Sequence, residues 1–239
     1  MMSGTALVTG ATKRIGRELT LKLADMGYNI ALHYNFIGSD ARQLMFEIEQ
    51  RGVPCELFRT NFLNEFETES LMEQVAEKFD DVCLLVNNAS IFQKARFLET
   101  DTALFNSHFD INFKAPFILT RDFAKTFKNG HVINILDTKI AHNDGAHFVY
   151  TLSKKVFADF TRMAAKQLAP DIRVNAIAPG FILPPAGHED DKTYIQELEK
   201  MIPLKTKGEV HDIINAMEYL IENPYVTGQI LYIDGGKNL

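Results

Sequence analysis

The stretch TALVTGATKRIG (residues 5–16) holds the features that decide the fold. Its first half is typical of a short buried strand, and residues 14–26 follow with apolar side chains at helical spacing. Between them, Gly10 permits a tight turn and Gly16 lets the helix pack close to the sheet. Such a turn presents backbone N–H groups and a helix N-terminus to a pyrophosphate. The motif departs from GxGxxG because Arg14 stands where a middle glycine is expected, so an ordinary strand-to-helix turn is the alternative.

Strand-like apolar runs alternate with helical periodicity along the rest of the chain. The predicted strands cover residues 5–10, 29–34, 53–59, 82–88, 131–136, 172–177 and 229–234. The predicted helices cover residues 14–26, 39–50, 64–79, 101–127, 148–168 and 207–222. This alternation predicts an α/β fold, a doubly wound parallel sheet (Rossmann fold) of about seven strands with helices on both faces.

No linker or change of composition divides the chain, so we expect a single domain over residues 1–239. Pro116 is expected to kink the long helix over residues 101–127. The irregular segment 183–206 is expected to form a substrate lid with a short helix at 194–201. A disordered surface loop is the alternative for that segment, and its acidic run at 189–191 disfavours a polyglutamate tail only if it lies near the site.

Composition excludes several classes of protein. Hydrophobic residues make up 46% and charged residues 23%, which argues against a disordered chain, a collagen or a coiled coil. The net charge of −6 without a basic stripe predicts no nucleic-acid partner. No apolar run reaches about 18 residues, so no membrane partner is expected. Two cysteines and an N-terminus without a signal-peptide pattern indicate a cytoplasmic protein, and the histidine spacing predicts no metal site.

The end of the second predicted strand bears on the choice of cofactor. Residues 33–36 read His-Tyr-Asn-Phe, and no carboxylate follows until Asp40. A NAD site usually places an acidic residue there for the ribose 2′-OH. The missing carboxylate and the cation Lys13 in the phosphate turn favour a 2′-phosphate and therefore NADPH. A solvated surface lysine is the alternative for Lys13.

Tyr150 and Lys154 are four residues apart on a predicted helix and share one of its faces. A cation there would lower the pKa of the phenol and hold a cofactor ribose. Alone, this spacing is common by chance. It gains weight because Gly10, Asn88 and Asp137 all fall at carboxyl ends of predicted strands, which is where ligands bind in open α/β sheets.

Six features then occur in the order typical of one family. They are TGATKRIG (9–16), NNAS (87–90), Asn112, YTLSK (150–154), APG (178–180) and IDGG (233–236). With them the sequence resembles the short-chain dehydrogenase/reductase family over essentially its whole length. Within that family it is most similar to pteridine reductases and dihydromonapterin reductases. Four residues carry this second resemblance: Arg14 for the usual glycine, Ser90 ending NNAS, Phe92, and Asp137 for the usual serine.

The family resemblance implies a role for each matching residue. The implied catalytic residues are Asp137, Tyr150, Lys154 and Asn112. The implied cofactor-binding residues are Gly10, Lys13, Arg14, Ile15, Gly16, Asn35, Asn61, Phe62, Asn88, Ala89, Ser90, Tyr150, Lys154, Pro179, Gly180 and Ile182. The implied substrate-binding residues are Arg14, Ser90, Phe92, Asp137 and Tyr150. Asn61 departs from the family's aspartate, and Phe36 stands roughly where NADP-dependent members often have an arginine. A homotetramer is also implied.

The implied reaction is NADPH-dependent reduction of a 7,8-dihydropterin to the tetrahydropterin, with oxidised pterin or dihydrofolate as further candidate substrates. Hydride would pass to a ring carbon of the C=N bond, and the neighbouring nitrogen would gain a proton. A carboxyl group at Asp137 can carry that proton, with Tyr150 resupplying it, whereas a serine can only hydrogen-bond a carbonyl oxygen. Phe92 would stack on the flat pterin, although a plain core phenylalanine is its alternative.

Two other functions remain open from the sequence. The first is a 3-oxoacyl-carrier-protein or other carbonyl reductase of the same family, which predicts a serine at position 137. The second is a non-catalytic NADP-binding regulator, against which the intact Tyr150, Lys154 and Asn112 argue.

Overall fold

The computed structural model describes residues 4–35, 39–143, 145–184 and 192–239. Its strands are β1 (Thr5–Val8), β2 (Asn29–Tyr34), β3 (Cys55–Arg59), β4 (Val82–Asn87), β5 (Gly130–Ile135), β6 (Ile172–Pro179) and β7 (Ile230–Ile233). Its α-helices are α1 (Arg14–Asp25), α2 (Ser39–Glu49), α3 (Glu65–Ala76), α4 (Thr102–Phe109), α5 (Ala115–Phe127), α6 (Phe148–Leu168), α7 (Lys192–Lys200) and α8 (Val210–Glu222). The strands form one parallel sheet in the order β3-β2-β1-β4-β5-β6-β7. The predicted doubly wound fold is confirmed.

Alternate residues of each strand supply the cores on the two faces of the sheet. In β1, Ala6 and Val8 pack into one core, which contains residues of α1, α2 and α8. Leu7 points the other way and packs with residues of α3, α5 and α6. Since both faces are covered by helices, the central strands read as continuous apolar runs without polar alternation.

The strand order reverses between β1 and β4, which makes the crevice beyond their carboxyl ends the topological switch point. Gly10 lies just past β1 and Asn88 just past β4. Their backbones are close, since a Cβ on Gly10 would lie 2.9 Å from Cα of Ala89. The fold therefore places the motifs of these two strand ends side by side.

The segment predicted as one helix over residues 101–127 is helical from Thr102 to Phe127, but its irregular turn lies before Pro116. The chain forms α4, then a π-helical turn (Asp110–Lys114), then α5, with Pro116 in the first turn of α5. Because Pro116 has no N–H, it cannot donate the helical bond to the carbonyl of Asn112. The N–H of Ala115 donates to the carbonyl of Asp110, five residues earlier, which is the π-helical pattern. The interruption therefore lies before the proline, within the turn that carries Asn112.

The predicted lid segment does contain a helix, α7 (Lys192–Lys200). Residues 185–191, with the acidic run at 189–191, lie outside the described residues, as does Phe36. The helices that the structure describes include none long and apolar enough to cross a membrane.

Candidate active site

The phosphate turn between β1 and α1 uses two residues with left-handed backbone. Gly10 has φ +62° and Arg14 has φ +52°. Arg14 therefore has a left-handed backbone conformation, which is the conformation that favours glycine and explains why a glycine is expected at its position. At Lys13, which precedes the first turn of α1, no side chain caps the helix. The N–H groups of that first turn are therefore available to an anion.

The same turn is bound tightly to the end of β4. The Asn88 side chain donates to the carbonyls of Thr9 (2.9 Å) and Gly10 (3.1 Å). The Thr9 hydroxyl accepts from the N–H groups of Asn88 (2.9 Å) and Ala89 (3.0 Å). A Cβ on Gly16 would overlap Asn88 Nδ2 and the Gly10 carbonyl, so only glycine fits there. These contacts hold the first two sequence motifs as one unit.

Asp137 and Tyr150 meet at the carboxyl end of β5. The Tyr150 hydroxyl donates to Asp137 Oδ2 at 2.8 Å, while Asp137 Oδ1 accepts from the N–H of Lys139 at 2.8 Å. Asp137 caps the short 3₁₀ turn Thr138–Ala141. The carboxylate is therefore oriented by the backbone on one oxygen and joined to the phenol on the other.

Lys154 lies one turn after Tyr150 on α6, as its spacing predicts, but its ammonium group does not contact the phenol. It donates to the Ile135 carbonyl at 2.8 Å and lies 6.0 Å from the centre of the Tyr150 ring. Burial lowers the pKa of Lys154 to about 8, against the opposing charge of Asp137.

The expectation that Lys154 lowers the pKa of Tyr150 is wrong. The pKa of Tyr150 is raised well above its usual value, first by burial, then by the charge of Asp137 and the hydrogen bond to it. Asp137 disfavours phenolate because two adjacent negative charges repel each other. In this arrangement the phenol keeps its proton at neutral pH.

Asn112 is fully buried in the π-helical turn and connects three segments of the site. Its Oδ1 accepts from the N–H of Ile91 (2.9 Å) and the hydroxyl of Ser90 (3.1 Å). Its Nδ2 donates to the Ile91 carbonyl (3.1 Å) and to Ser153 Oγ (3.2 Å). Asn112 therefore fixes the segment after β4 against α6.

Comparison with known proteins places this arrangement in a family. Residues 10–238 match a family model described as enoyl-(acyl carrier protein) reductase. The chain belongs to the short-chain dehydrogenase/reductase family. The resemblance expected from the motif order is thereby confirmed at the level of this family.

Relatives within the short-chain dehydrogenase/reductase family carry different names. The 3-oxoacyl-(acyl-carrier-protein) reductase FabG of Staphylococcus epidermidis is 31% identical, over 98% of this chain and 99% of that protein. The FolM alternative dihydrofolate reductase 1 of Brucella suis, solved in complex with NADP, is 32% identical with a TM-score of 0.91, covering 98% and 95% of the two chains. The same-named Brucella canis protein, also complexed with NADP, is 34% identical with a TM-score of 0.89, covering 98% and 94%.

Phe92 lies at the short-chain reductase site with its side chain half exposed. Its ring stacks on His147 with a centroid distance of 4.3 Å and an interplanar angle of 15°. It meets Tyr150 edge-on at 4.7 Å. Since 48% of Phe92 is exposed, the core alternative for this residue does not hold. Ser90 is exposed beside it.

The residues predicted on the adenosine side of the cofactor site differ in their exposure and in their contacts. Lys13 forms an exposed ion pair with Asp40 at 3.2 Å. Asn35 accepts through its carbonyl from Arg59 at 3.2 Å. Asn61 accepts from the N–H of Leu63 at 3.1 Å, so this amide oxygen is already engaged. Phe62, also predicted here, is buried.

The nicotinamide side was predicted from APG (178–180) and Ile182. Pro179 ends β6, and the N–H of Gly180 donates to the Ile233 carbonyl at 2.8 Å. Ile182 is buried in the core that includes α1 and α8, and Ile15 packs partly buried against the same core. The Arg14 guanidinium donates to the Pro184 carbonyl at 2.9 Å, which links the phosphate turn to the start of the lid segment.

Sequence reasoning missed three residues of this region. Thr9 belongs to the quoted phosphate motif, but its paired acceptor role needs the approach of β4. His147 lies just before α6, three residues ahead of Tyr150, and its ring position follows from the packed structure rather than from helical spacing. His33 belongs to none of the sequence motifs, and only the packed structure shows that its ring contacts Gly10.

Proposed function

We propose that this protein is an NADPH-dependent reductase of a pterin ring C=N bond, converting a 7,8-dihydropterin to the tetrahydropterin. The observation that carries the proposal is the hydrogen bond from Tyr150 to Asp137 Oδ2 at 2.8 Å. It places a group that can donate a proton beside the tyrosine. A ring nitrogen gaining a proton needs such an acid, whereas a serine hydroxyl at that position is too weak an acid to serve.

NADPH fits the residues that the structure describes. The N-terminus of α1, which no side chain caps, offers N–H groups to the pyrophosphate, and the left-handed Gly10 shapes the turn that leads into it. Lys13 is free to exchange its exposed ion pair with Asp40 for a 2′-phosphate, because such pairs contribute little in water. When bound, NADPH supplies the hydride.

The proton is delivered by the chain's own residues. Asp137, which is partly exposed, takes up a proton from water, donates it to the ring nitrogen and returns to the carboxylate. The Tyr150 hydroxyl stabilises that carboxylate by donating to Oδ2, which agrees with the raised pKa of the phenol. Lys154 holds the cofactor ribose, and Phe92 offers a stacking surface to the flat ring. General acid catalysis of this kind contributes about 10²- to 10⁴-fold to the rate.

Relatives support the proposal and also its main alternative. Two FolM alternative dihydrofolate reductases in complex with NADP are similar over 98% of this chain, which favours a pterin or folate substrate. The FabG relative at 31% identity favours a 3-oxoacyl thioester instead. Asp137 favours the pterin substrate, because a carboxyl group can supply the proton that a ring nitrogen gains. A non-catalytic NADP-binding regulator would have no use for the buried Tyr150–Asp137 pair.

The test is NADPH oxidation at 340 nm by the purified protein with three substrates: dihydrobiopterin, dihydromonapterin and an acetoacetyl thioester. We expect turnover of a dihydropterin with kcat/KM at least about 10-fold above that of the thioester. Turnover of the thioester alone would establish the carbonyl reductase. NADPH binding without turnover of any of the three would favour the regulator.

We further propose a homotetramer. Phe105, Phe109, Phe113 and Phe117 follow one another at four-residue spacing along α4, the π-helical turn and α5, with neighbouring ring centroids 4.5–6.5 Å apart. Phe105 and Phe117 are 40% and 41% exposed. An apolar helical face of this kind favours contact with another copy. Light scattering should give four times the 27.0 kDa chain mass, and one chain mass would contradict the proposal.

A further inference from the structure

His33 lies near the carboxyl end of β2, between the phosphate turn and the end of β3. Only 2% of the residue is exposed. It belongs neither to the catalytic group at Asp137 nor to the motifs of the family. Its surroundings nevertheless connect the two segments that flank the predicted adenosine site.

Both ring nitrogens of His33 are engaged by backbone groups. The N–H of Gly10 lies 3.1 Å from Nδ1, and the carbonyl of Thr60 lies 3.1 Å from Nε2. An N–H group can only donate, so Nδ1 is the acceptor and Nε2 carries the hydrogen that is donated to Thr60. One neutral tautomer satisfies both contacts, and a protonated ring would oppose the Gly10 N–H.

Two further contacts strengthen the connection. The Phe62 ring stacks on His33 with a centroid distance of 4.3 Å and an interplanar angle of 8°. The His33 carbonyl accepts from the N–H of Ala11 at 3.0 Å. One residue of β2 thus fixes two consecutive amides of the phosphate turn and the residues just after β3.

We propose that His33 is a positioning residue for NADPH, holding the phosphate turn and the Thr60–Phe62 segment at the separation that the adenosine half of the cofactor requires. The inference rests on the proposed NADPH function. The Gly10 N–H is bound by the imidazole, so the pyrophosphate is left to the N–H groups that follow it in the turn. A turn without this contact would rotate the Gly10 peptide and misdirect those N–H groups.

Three substitutions separate this role from simple filling of the core. His33→Asn keeps an acceptor at the Nδ1 position for Gly10 and loses the bond to Thr60. His33→Gln keeps a donor at the Nε2 position for Thr60 and loses the bond to Gly10. His33→Leu loses both. The measurement is the Kd for NADPH from cofactor fluorescence, with kcat and KM for NADPH from the 340 nm assay.

We expect the Kd for NADPH to rise about tenfold in His33→Gln and His33→Leu, as the loss of a hydrogen bond to a buried group produces. We expect His33→Asn to lie between the wild type and His33→Leu, because it keeps the contact with Gly10 and loses the contact with Thr60. At saturating NADPH, kcat should change little in all three, because the catalytic group is not in contact with His33.

His131 supplies a matched control. It is a second buried histidine, 5% exposed, whose two ring nitrogens are engaged by Arg173 and Asn175 at 3.0 Å each. It lies at the amino end of β5, away from the cofactor edge. His131→Leu should destabilise the fold without changing the Kd for NADPH.

Several outcomes would overturn the inference. They are an unchanged Kd in His33→Leu, an equal rise in His131→Leu, and a His33→Asn variant as weak as His33→Leu. If the wild-type protein does not bind NADPH, the proposed function fails and takes this inference with it. If the wild type binds NADPH and turns over a dihydropterin while His33 has no effect, only this inference fails.

Discussion

Arg14 shows how one residue combines a backbone cost with a contact in the site. Its φ of +52° is unfavourable for a side chain with a Cβ, by about 1–2 kcal/mol. Its guanidinium reaches the Pro184 carbonyl at 2.9 Å, far along the chain, and stands beside the turn predicted to bind phosphates. Strain of this kind persists where the surrounding structure holds it in place, and it is often found at functional sites.

We predict that Arg14→Gly raises the free energy of unfolding by about 1 kcal/mol, because glycine adopts this φ without strain. The same change should lower kcat/KM by about tenfold or more, since a charged donor is lost from the site. Urea unfolding and the 340 nm assay measure the two effects.

Lys128→Gly is the matched control, because Lys128 has φ +59° at the end of α5 and no predicted site role. The Lys128→Gly variant should have a higher free energy of unfolding and an unchanged kcat/KM. Loss of stability in Arg14→Gly, or unchanged kinetics, would contradict the account of this residue.

At the scale of elements, the segment from α4 to α5 decides how the site is assembled. The π-helical turn places Asn112 where its amide meets Ser90, Ile91 and Ser153. A regular α-helix without the π-helical turn would point the Asn112 side chain in a different direction about the helix axis. The turn therefore couples the segment that carries Phe92 to the helix that carries Tyr150.

We predict that Asn112→Ala lowers the free energy of unfolding by about 2 kcal/mol or more, because the partly buried N–H of Ile91 loses its acceptor and the Ile91 carbonyl and Ser153 lose a donor. Its kcat should fall as well. Asn112→Asp retains an acceptor for the Ile91 N–H and should be intermediate in stability. Thermal unfolding with steady-state kinetics measures both, and equal stability of the two variants would contradict the role given to the amide.

The sequence allowed the succession of strands and helices, the parallel sheet with helices on both faces and the pairing of Asp137 with Tyr150 to be predicted. The first two follow from local periodicity and one topological rule, and the third follows from the family resemblance. The π-helical turn was not predictable, since Pro116 signals an interruption without fixing on which side it falls. The raised pKa of Tyr150 was missed for another reason. The four-residue spacing shows that Lys154 shares a helical face with Tyr150. It does not show that the ammonium group of Lys154 donates to the Ile135 carbonyl and not to the phenol.

For the molecule as a whole, the buried histidines His33 and His131 contribute to how stability depends on pH. Burial lowers the pKa of His33 to about 4, and burial with the charge of Arg173 lowers that of His131 to about 3. Both are neutral in the folded protein, whereas in the unfolded chain each takes up a proton below about pH 6.5. The unfolded state then binds more protons, so stability is full above that pH and falls as the pH drops toward 4.

We predict that, for each of these two histidines, the free energy of unfolding falls by about 2 kcal/mol when the pH is lowered from 7.5 to 5. Urea unfolding at the two pH values measures the loss. His131→Gln removes one titrating group and should reduce the difference by about 2 kcal/mol. The same difference in the variant and the wild type would contradict this assignment.

We propose that Asp137 makes this short-chain reductase an enzyme for a ring C=N bond. The most direct measurement compares kcat/KM for a dihydropterin and for an acetoacetyl thioester in the wild type, Asp137→Ser and Asp137→Asn. We predict that both variants lose dihydropterin turnover by about 10²-fold or more, because neither can supply a proton. Asp137→Ser should retain or gain activity with the thioester. Dihydropterin turnover that is unchanged in Asp137→Ser would contradict the claim.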